Sequence, residues 1–579
     1  MTSASIPVTS RFAAHAALVA LVAIAAYAPV FVNEFTYDAR LVVGDNPAVA
    51  DPANLAALFS GEYFTRFGEN TYRPVVSLTY MIDAALLGRS IGAFGASSLA
   101  WHVLAVVGFL VVARRRVGAW PALAAALVYA AHPAPSEAVF CVGHREAILG
   151  GAAVWWAIAA HDRASKSPAH RTASLAIYAV GMFAIESVIL VPAYLAVETW
   201  IAREDGRCAA LRRVWPFAVL AVAFVLGREF VFAGTRGETP FYGGSWLSAL
   251  AAAFAFFARY VALAFWPNPL APDYAASPIA QLAPSTIAGM VIAVAMTWLV
   301  ATRRGAVATR LGIAWFAASL LLVSHVLVPF WIPMAERYLY VGIGAFALAL
   351  VAPLVSASLD IGLSRSRMTL VFACALALLI AATHLRGRDW RDDLSLWSRA
   401  VATQPRSPVA WSNLADALSA RGDQRGRKEA LARLVEIDPQ NFGAMDTLVT
   451  MALRERRTVD ARAWIARMTN SGAPSLMIER ARAQTAIAES RFEEAGVAAA
   501  ACLDANPREG LCLQAAAFIA FSRGDDDLAA RRFDECAREA SADMSIREAC
   551  ERGLAAANAR RASRENPDGS GVFPSPGTP

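Results

Sequence analysis

Apolar runs near residues 12–32, 99–113, 117–133, 138–160, 172–200, 214–232, 246–267, 284–302, 310–331, 338–356 and 368–385 constrain this chain more than any other feature. Each is long enough, or nearly so, to cross a hydrocarbon core of about 30 Å. In lipid every backbone N–H and C=O must be satisfied within the segment, so runs of this kind fold as helices. The 57% hydrophobic content and mean hydropathy of +0.42 exclude an ordinary soluble protein. A net charge of +6 does not point to nucleic acid. Much of the excess sits in short Arg-rich turns, which is how cytoplasmic loops are marked. These are Arg114-Arg115-Arg116, Arg163/Lys166/Arg171, Arg203/Arg207/Arg212/Arg213, Arg303/Arg304/Arg310 and Arg365/Arg367.

All five clusters share one side if 172–200 crosses twice, around Glu186, and one later run stays in the interface. The run 246–267 is the candidate for that, because Arg259 interrupts it and Trp246 and Trp266 bracket it. About eleven spans result. The first run is read as an uncleaved span rather than a signal peptide, since no small-residue cleavage site follows it. The N-terminus is then cytoplasmic, and the segments 33–98 and beyond 386 are extracytoplasmic.

The expected fold is all-α: a polytopic transmembrane bundle over 1–385, with 33–98 as its first external loop, then a repeat domain over 386–560. After 386 the sequence is charged, Ala-rich and helical in pattern, and Pro408, Pro439, Pro474 and Pro507 recur at nearly the 34-residue tetratricopeptide period. About four helix–turn–helix units that bury one another's apolar faces are expected. The tail 561–579 ends in Gly, Pro and Ser and reads as disordered. Cys502, Cys512, Cys536 and Cys550 can form two disulfides if the repeats face an oxidising compartment. The cysteines lack zinc-site spacing. Scarce Lys with abundant Ala and Arg points to a GC-rich bacterial genome.

Roughly 65 residues of acidic, aromatic and turn-forming sequence between two spans is long for a connector. Asp38, just past the first span, is either a solvated or helix-capping carboxylate, a general base for an acceptor hydroxyl, or a ligand for a divalent ion. Asp45-Asn46-Pro47 looks like a turn. Arg73 is either a phosphate contact or the partner of Glu62 or Glu69. His132, Glu137, His144, Arg145 and Glu146 sit at the outer end of the third and fourth spans, where ionisable groups must pair or face water. His132 with Glu137 is a weak metal pair that lacks a third ligand. Glu186 marks a helix break or a functional carboxylate. Glu336-Arg337 is either a plain ion pair or a phosphate site.

Taken in order, these segments resemble the transmembrane and tetratricopeptide-repeat O-mannosyltransferases of the glycosyltransferase C superfamily. The resemblance runs from about 30 to 540. It rests on Phe35-Thr36-Tyr37-Asp38, Asp45-Asn46-Pro47, Tyr72-Arg73-Pro74, His102, His132-Pro133, Glu137-Ala138-Val139 and Arg145. It continues through Asp273-Tyr274, Ala335-Glu336-Arg337-Tyr338 and Trp390. It implies a polyprenyl-phosphate sugar donor, mannose by analogy, and a protein Ser or Thr acceptor on the extracytoplasmic face. It also implies repeats that bind the acceptor, and Asp38 as the first member of an Asp-Asp pair. The second member is Ala39 here. Ala105, Ala147 and Ile185 stand where the family usually has Asn, an acidic residue and Lys.

The expected function is therefore glycosyl transfer at a bacterial inner membrane. Asp38 would be catalytic and Arg73, Arg145 and Arg337 would bind donor phosphate, supported by Asp45, His102, His132, Glu137, Glu186 and Glu336. The sequence assigns no cofactor with certainty, and a divalent metal stays an option. Two rivals remain: a non-catalytic membrane scaffold, which Ala39 and Ala147 favour, and a transferase acting on lipid or polysaccharide. A transporter would require an inverted internal repeat, and none is visible.

Overall fold

The computed structural model describes residues 8–67, 71–165, 167–202, 207–231, 239–274, 283–329, 332–360, 364–540 and 544–565. Among these no strand occurs, and the chain is all-α. It divides into two compact units, Met1–Ala410 and Trp411–Pro579.

The first unit opens with α1 (Val8–Tyr27) and a short 3-10 turn to Phe31. Irregular turns lead to α2 (Tyr63–Phe67) and the apolar α3 (Pro74–Leu86). Helix α4 (Ile91–Val117) begins at the Ser90 cap, whose hydroxyl accepts from Ala93 N–H at 3.2 Å. The first loop thus ends eight residues before the expected 98, because that Ser opens a helix whose first two turns are rich in small residues. Next come α5 (Ala119–Ala131), α6 (Ser136–Phe140), α7 (Arg145–His161) and α8 (Pro168–Met182). They are followed by α9 (Val191–Ala202) and α10 (Arg207–Val231). The run 172–200 is broken as its charge demanded: α8 and α9 are separate helices, and Glu186 opens the 3-10 turn between them.

Helices α11 (Trp246–Phe265), α12 (Pro284–Thr302), α13 (Val307–Ser319), α14 (Tyr340–Asp360) and α15 (Arg365–Asp389) complete the apolar part. Six helical segments among the described residues are long and apolar enough to cross a membrane, and α11 is one of them. Its Arg259 guanidinium lies over the Tyr274 ring, 4.8 Å from the centroid. Helices α11 and α12 touch backbone to backbone, since a Cβ at Gly289 would land on the Phe254 carbonyl. At one end of the unit Arg116 bonds Asp162 at 3.0 Å and Glu198 at 2.6 Å, tying α4 to α7 and α9. At the other end of α4 the Phe94 carbonyl accepts from Arg145. By helical rise these two polar layers are about 33 Å apart, close to the thickness of a bilayer core. The amphipathic α16 (Asp393–Thr403) also belongs to this unit. The boundary at 410 therefore falls later than the change in composition at 386.

The second unit pairs α17 (Pro408–Ala420) with α18 (Gln424–Ile437), α19 (Phe442–Arg454) with α20 (Thr458–Asn470), and α21 (Ser475–Ala488) with α22 (Phe492–Ala505). Helix α23 (Gly510–Ser522) pairs with α24 (Asp526–Glu539), and α25 (Met544–Glu565) closes the stack. Pairs begin 33 to 35 residues apart, and buried Ala, Leu and Phe join each pair to the next. Each turn inside a pair carries one left-handed residue at the same place: Gly422, Arg456, Ser490 and Gly524. Disulfides Cys502–Cys512 and Cys536–Cys550 bridge α22 to α23 and α24 to α25. Helix α25 continues five residues past the expected end at 560. The remainder of the tail lies outside the described residues.

Candidate functional site

Asp38 sits where α1 gives way to the first loop, and the loop folds so as to present it. Tyr37 adopts φ +55°, a left-handed conformation that costs a non-glycine residue about 1–2 kcal/mol. The surroundings hold it there. Its N–H donates to Asp393 Oδ1 at 2.8 Å, and its ring meets Trp397 and His144 edge-on at 5.2 and 5.4 Å. Ala39 is 1% exposed and packs on Gly143. A side chain at 143 would lie 2.8 Å from Ala39 N and 3.1 Å from Asp38 C. Only glycine lets the two segments close. Position 39, the second of the expected acid pair, is thus a buried packing contact in this chain.

His144 stands beside Asp38. Its Nε2 is 3.0 Å from Asp38 Oδ2, and its Nδ1 is 3.5 Å from Glu137 Oε1. Asp38 keeps 44% of its side chain exposed, while His144 is buried. Burial alone would raise the Asp38 pKa. The hydrogen bond and charge of His144, with Arg337 behind it, outweigh burial and hold the carboxyl below its usual range. Burial likewise opposes charge on His144, yet Cys141 and the Asp38 carboxylate bring its pKa well above the usual histidine value. The result is a charge-assisted Asp38–His144 pair at neutral pH.

From His144 the charges alternate across four distant segments. Glu137, fully buried on α6, accepts from the Arg337 backbone N–H at 2.8 Å and also from its guanidinium. Arg337 Nε lies 3.9 Å from Glu146. Glu146 pairs with Arg73 at 3.1 Å, and Arg73 reaches Glu186 at 3.5 Å. Glu186 also receives Arg228 at 2.8 Å. Burial pushes the Glu186 carboxyl up, but Arg73 and Arg228 bring it down to about 2. Position 147, where the resembled family usually carries an acid, is a buried alanine here. Glu62 holds Arg66 at 2.6 Å, and Glu69 lies outside the described residues.

The other expected site residues do different work. Arg145 is fully buried. It donates to Ser98 at 3.1 Å, Thr79 at 3.1 Å, Asp83 at 2.6 Å and the Phe94 carbonyl at 3.0 Å, with its guanidinium 4.5 Å from the centre of the Tyr80 ring. A phosphate cannot reach it without dismantling that cage, so Arg145 is a staple between α7, α3 and α4. His102 bonds the Tyr340 hydroxyl at 2.7 Å inside the bundle. His132 accepts from Ala134 N–H and binds the Ala264 carbonyl, each at 3.1 Å. Both histidines are packing elements, and His132 does not pair with Glu137.

Asp45 is exposed beside the turn that Asn46 caps, where the Asn46 side chain accepts from Ala48 N–H. Glu336 belongs to a separate buried cluster, taking Tyr274 at 3.0 Å and Arg386 at 3.4 Å. Among the described residues no group of three or more His, Cys, Asp or Glu side chains has metal-site geometry.

No family model matches the chain. It is 33% identical over 123 residues, 19% of its length, to protein O-mannosyl-transferase Tmtc1 of Drosophila melanogaster. Over 132 residues, 22% of its length, it is 30% identical to protein O-mannosyl-transferase Tmtc2 of the same fly. Each match spans 14% of the relative's own length. Among solved structures, yeast Tom70 overlaps 73% of this chain and 90% of its own, at 9% identity and a TM-score of 0.26. An overlap that loose says nothing about function.

Proposed function

We propose that this chain is a membrane glycosyltransferase. It would move one sugar, mannose by analogy, from a polyprenyl-phosphate donor to a protein Ser or Thr hydroxyl on the extracytoplasmic face, with the repeats binding the acceptor. The partial identity to two O-mannosyl-transferases supports the reaction class. The pair of disulfides in the repeat unit supports an oxidising compartment, and a bacterial inner membrane is the setting that the composition suggests.

The observation that carries the reading is the half-exposed Asp38 carboxylate, fixed by His144 at one end of a chain of alternating charges that leads to Arg73. In an inverting displacement the acceptor oxygen bonds to the anomeric carbon while the carbon–oxygen bond to phosphate breaks. The acceptor proton passes to Asp38, whose second oxygen is already held by His144. The departing phosphate gains negative charge, and in this reading Arg73, 21% exposed, is the cation that meets it. Arg337, committed to Glu137 and screened by Glu146, contributes its field from behind. Arg145 has no part in this scheme.

Purified protein in detergent, given labelled polyprenyl-phosphate mannose and a Ser/Thr-rich peptide, is expected to label the peptide. Asp38→Asn is expected to abolish labelling. Wild-type protein that transfers nothing, while still capturing protein partners through its repeats, would establish the scaffold reading instead.

A further inference from the structure

Arg228 has no part in the scheme above, and its placement is unusual. It lies in the last turn of α10, a helix whose Val219, Val222, Leu226 and Phe230 are exposed. An arginine at the end of a lipid-facing helix ordinarily snorkels outward to the headgroups. Arg228 instead turns inward and is only 13% exposed. It takes one oxygen of Glu186 at 2.8 Å while Arg73 takes the other at 3.5 Å. Its Nε is buried and has no partner among the described residues. Two guanidiniums thus converge on one two-oxygen anion, which is also how a pair of arginines grips a phosphate. The carboxylate is 25% exposed, so solvent or a ligand can reach it.

Aromatic rings connect this triad to the apolar helix face. Tyr72, beside Arg73, meets Phe183 edge-on at 6.4 Å, and Phe183 meets Phe224 of α10 edge-on at 5.2 Å.

We propose that Arg228 and Arg73 receive the phosphate of an isoprenoid lipid, which displaces Glu186 from between them while its hydrocarbon lies along Phe183, Phe224 and the exposed face of α10. The inference rests on the donor class proposed above and names where such a donor enters: sideways from the bilayer. Glu186 is a placeholder that keeps the partly buried Arg228 paired, and shares Arg73 with Glu146, until the phosphate arrives. A bilayer phospholipid offers the same phosphate without the branched tail, and free phosphate offers the anion alone. The test separates the three.

The full chain in nanodiscs of phosphatidylcholine is titrated with tritiated undecaprenyl phosphate. Wild type is expected to bind saturably. Arg228→Gln is expected to weaken binding by about 10- to 100-fold, the loss of one charge-assisted contact. Glu186→Gln is expected to tighten binding, because the competing carboxylate is gone; a misfolded variant cannot produce that gain. Equal binding by wild type and Arg228→Gln overturns the proposal. So does displacement by phosphatidylglycerol or inorganic phosphate at the same concentration as the isoprenoid, which would mark a general anion site. Binding needs no sugar transfer, so its failure is distinguishable from failure of the transferase reading.

Discussion

Gly143→Ala is the sharpest perturbation that the geometry offers. The added methyl would sit 2.8 Å from Ala39 N, 2.9 Å from Ala39 Cα and 3.1 Å from Asp38 C. Non-bonded carbons settle at about 3.5–4.0 Å, so the turn at 37–39 must retreat by about 0.7 to 1 Å. Backbone atoms give way less easily than a side-chain tip, and overpacking of this kind costs about 1–3 kcal/mol. Asp38 travels with the turn. Its 3.0 Å bond to His144 then stretches toward the limit of hydrogen bonding, about 3.5 Å. A 1 Å misplacement of a catalytic group lowers turnover on the order of 100-fold. Two readouts are needed: sugar transfer from labelled polyprenyl-phosphate mannose, and the His144 ring pKa by nitrogen NMR. The account expects both to fall, with the chain still folded. An alanine variant with unchanged turnover and an unchanged His144 pKa would refute it.

Further outcomes follow from the same structure. His144→Gln keeps a donor but removes the charge, so the Asp38 pKa should rise and the acid limb of the pH–rate profile should move to higher pH. In wild type the raised His144 pKa stabilises the fold fully below about pH 6.5 and is lost as pH rises through the folded value. The stability gap between wild type and His144→Gln, followed by thermal melting, should therefore shrink on going alkaline. Ser490→Gly relieves a left-handed serine at φ +59° and should stabilise the repeat unit by about 0.5–1 kcal/mol in a denaturant melt. Reducing Cys502–Cys512 and Cys536–Cys550, which close loops of 10 and 14 residues, should cost about 2–3 kcal/mol each and lower the melting temperature.

The helical framework was legible because lipid permits few alternatives and because apolar length is written directly in the chain. The break at Glu186 could be read from one charge inside an apolar run, and the Asn46 turn from its local chemistry. The repeat period was visible in four prolines. It is more regular in the left-handed residues Gly422, Arg456, Ser490 and Gly524, two of which are not glycine and so left no compositional mark.

The site was legible only in part. Asp38 and His144 are 106 residues apart, and no local pattern links them. His144 and Arg145 are neighbours at the start of α7, yet one turns toward Asp38 and the other into the cage of Ser98, Thr79 and Asp83. Sequence offers no means of saying which of two adjacent polar residues at a helix start turns toward the Asp38 carboxylate. Arg145 therefore drew a phosphate-binding role although its guanidinium is fully buried. Arg228, at the end of the apolar run 214–232, drew no reading from the sequence at all.

The central claim is that the Asp38 carboxylate, held by His144, takes the acceptor proton during sugar transfer. It is tested most directly by the turnover of Asp38→Asn relative to wild type with labelled polyprenyl-phosphate mannose, in preparations matched for melting temperature. Loss of a positioned general base should lower turnover by about 100- to 10,000-fold while donor binding persists. An asparagine variant that transfers sugar at the wild-type rate would contradict the account.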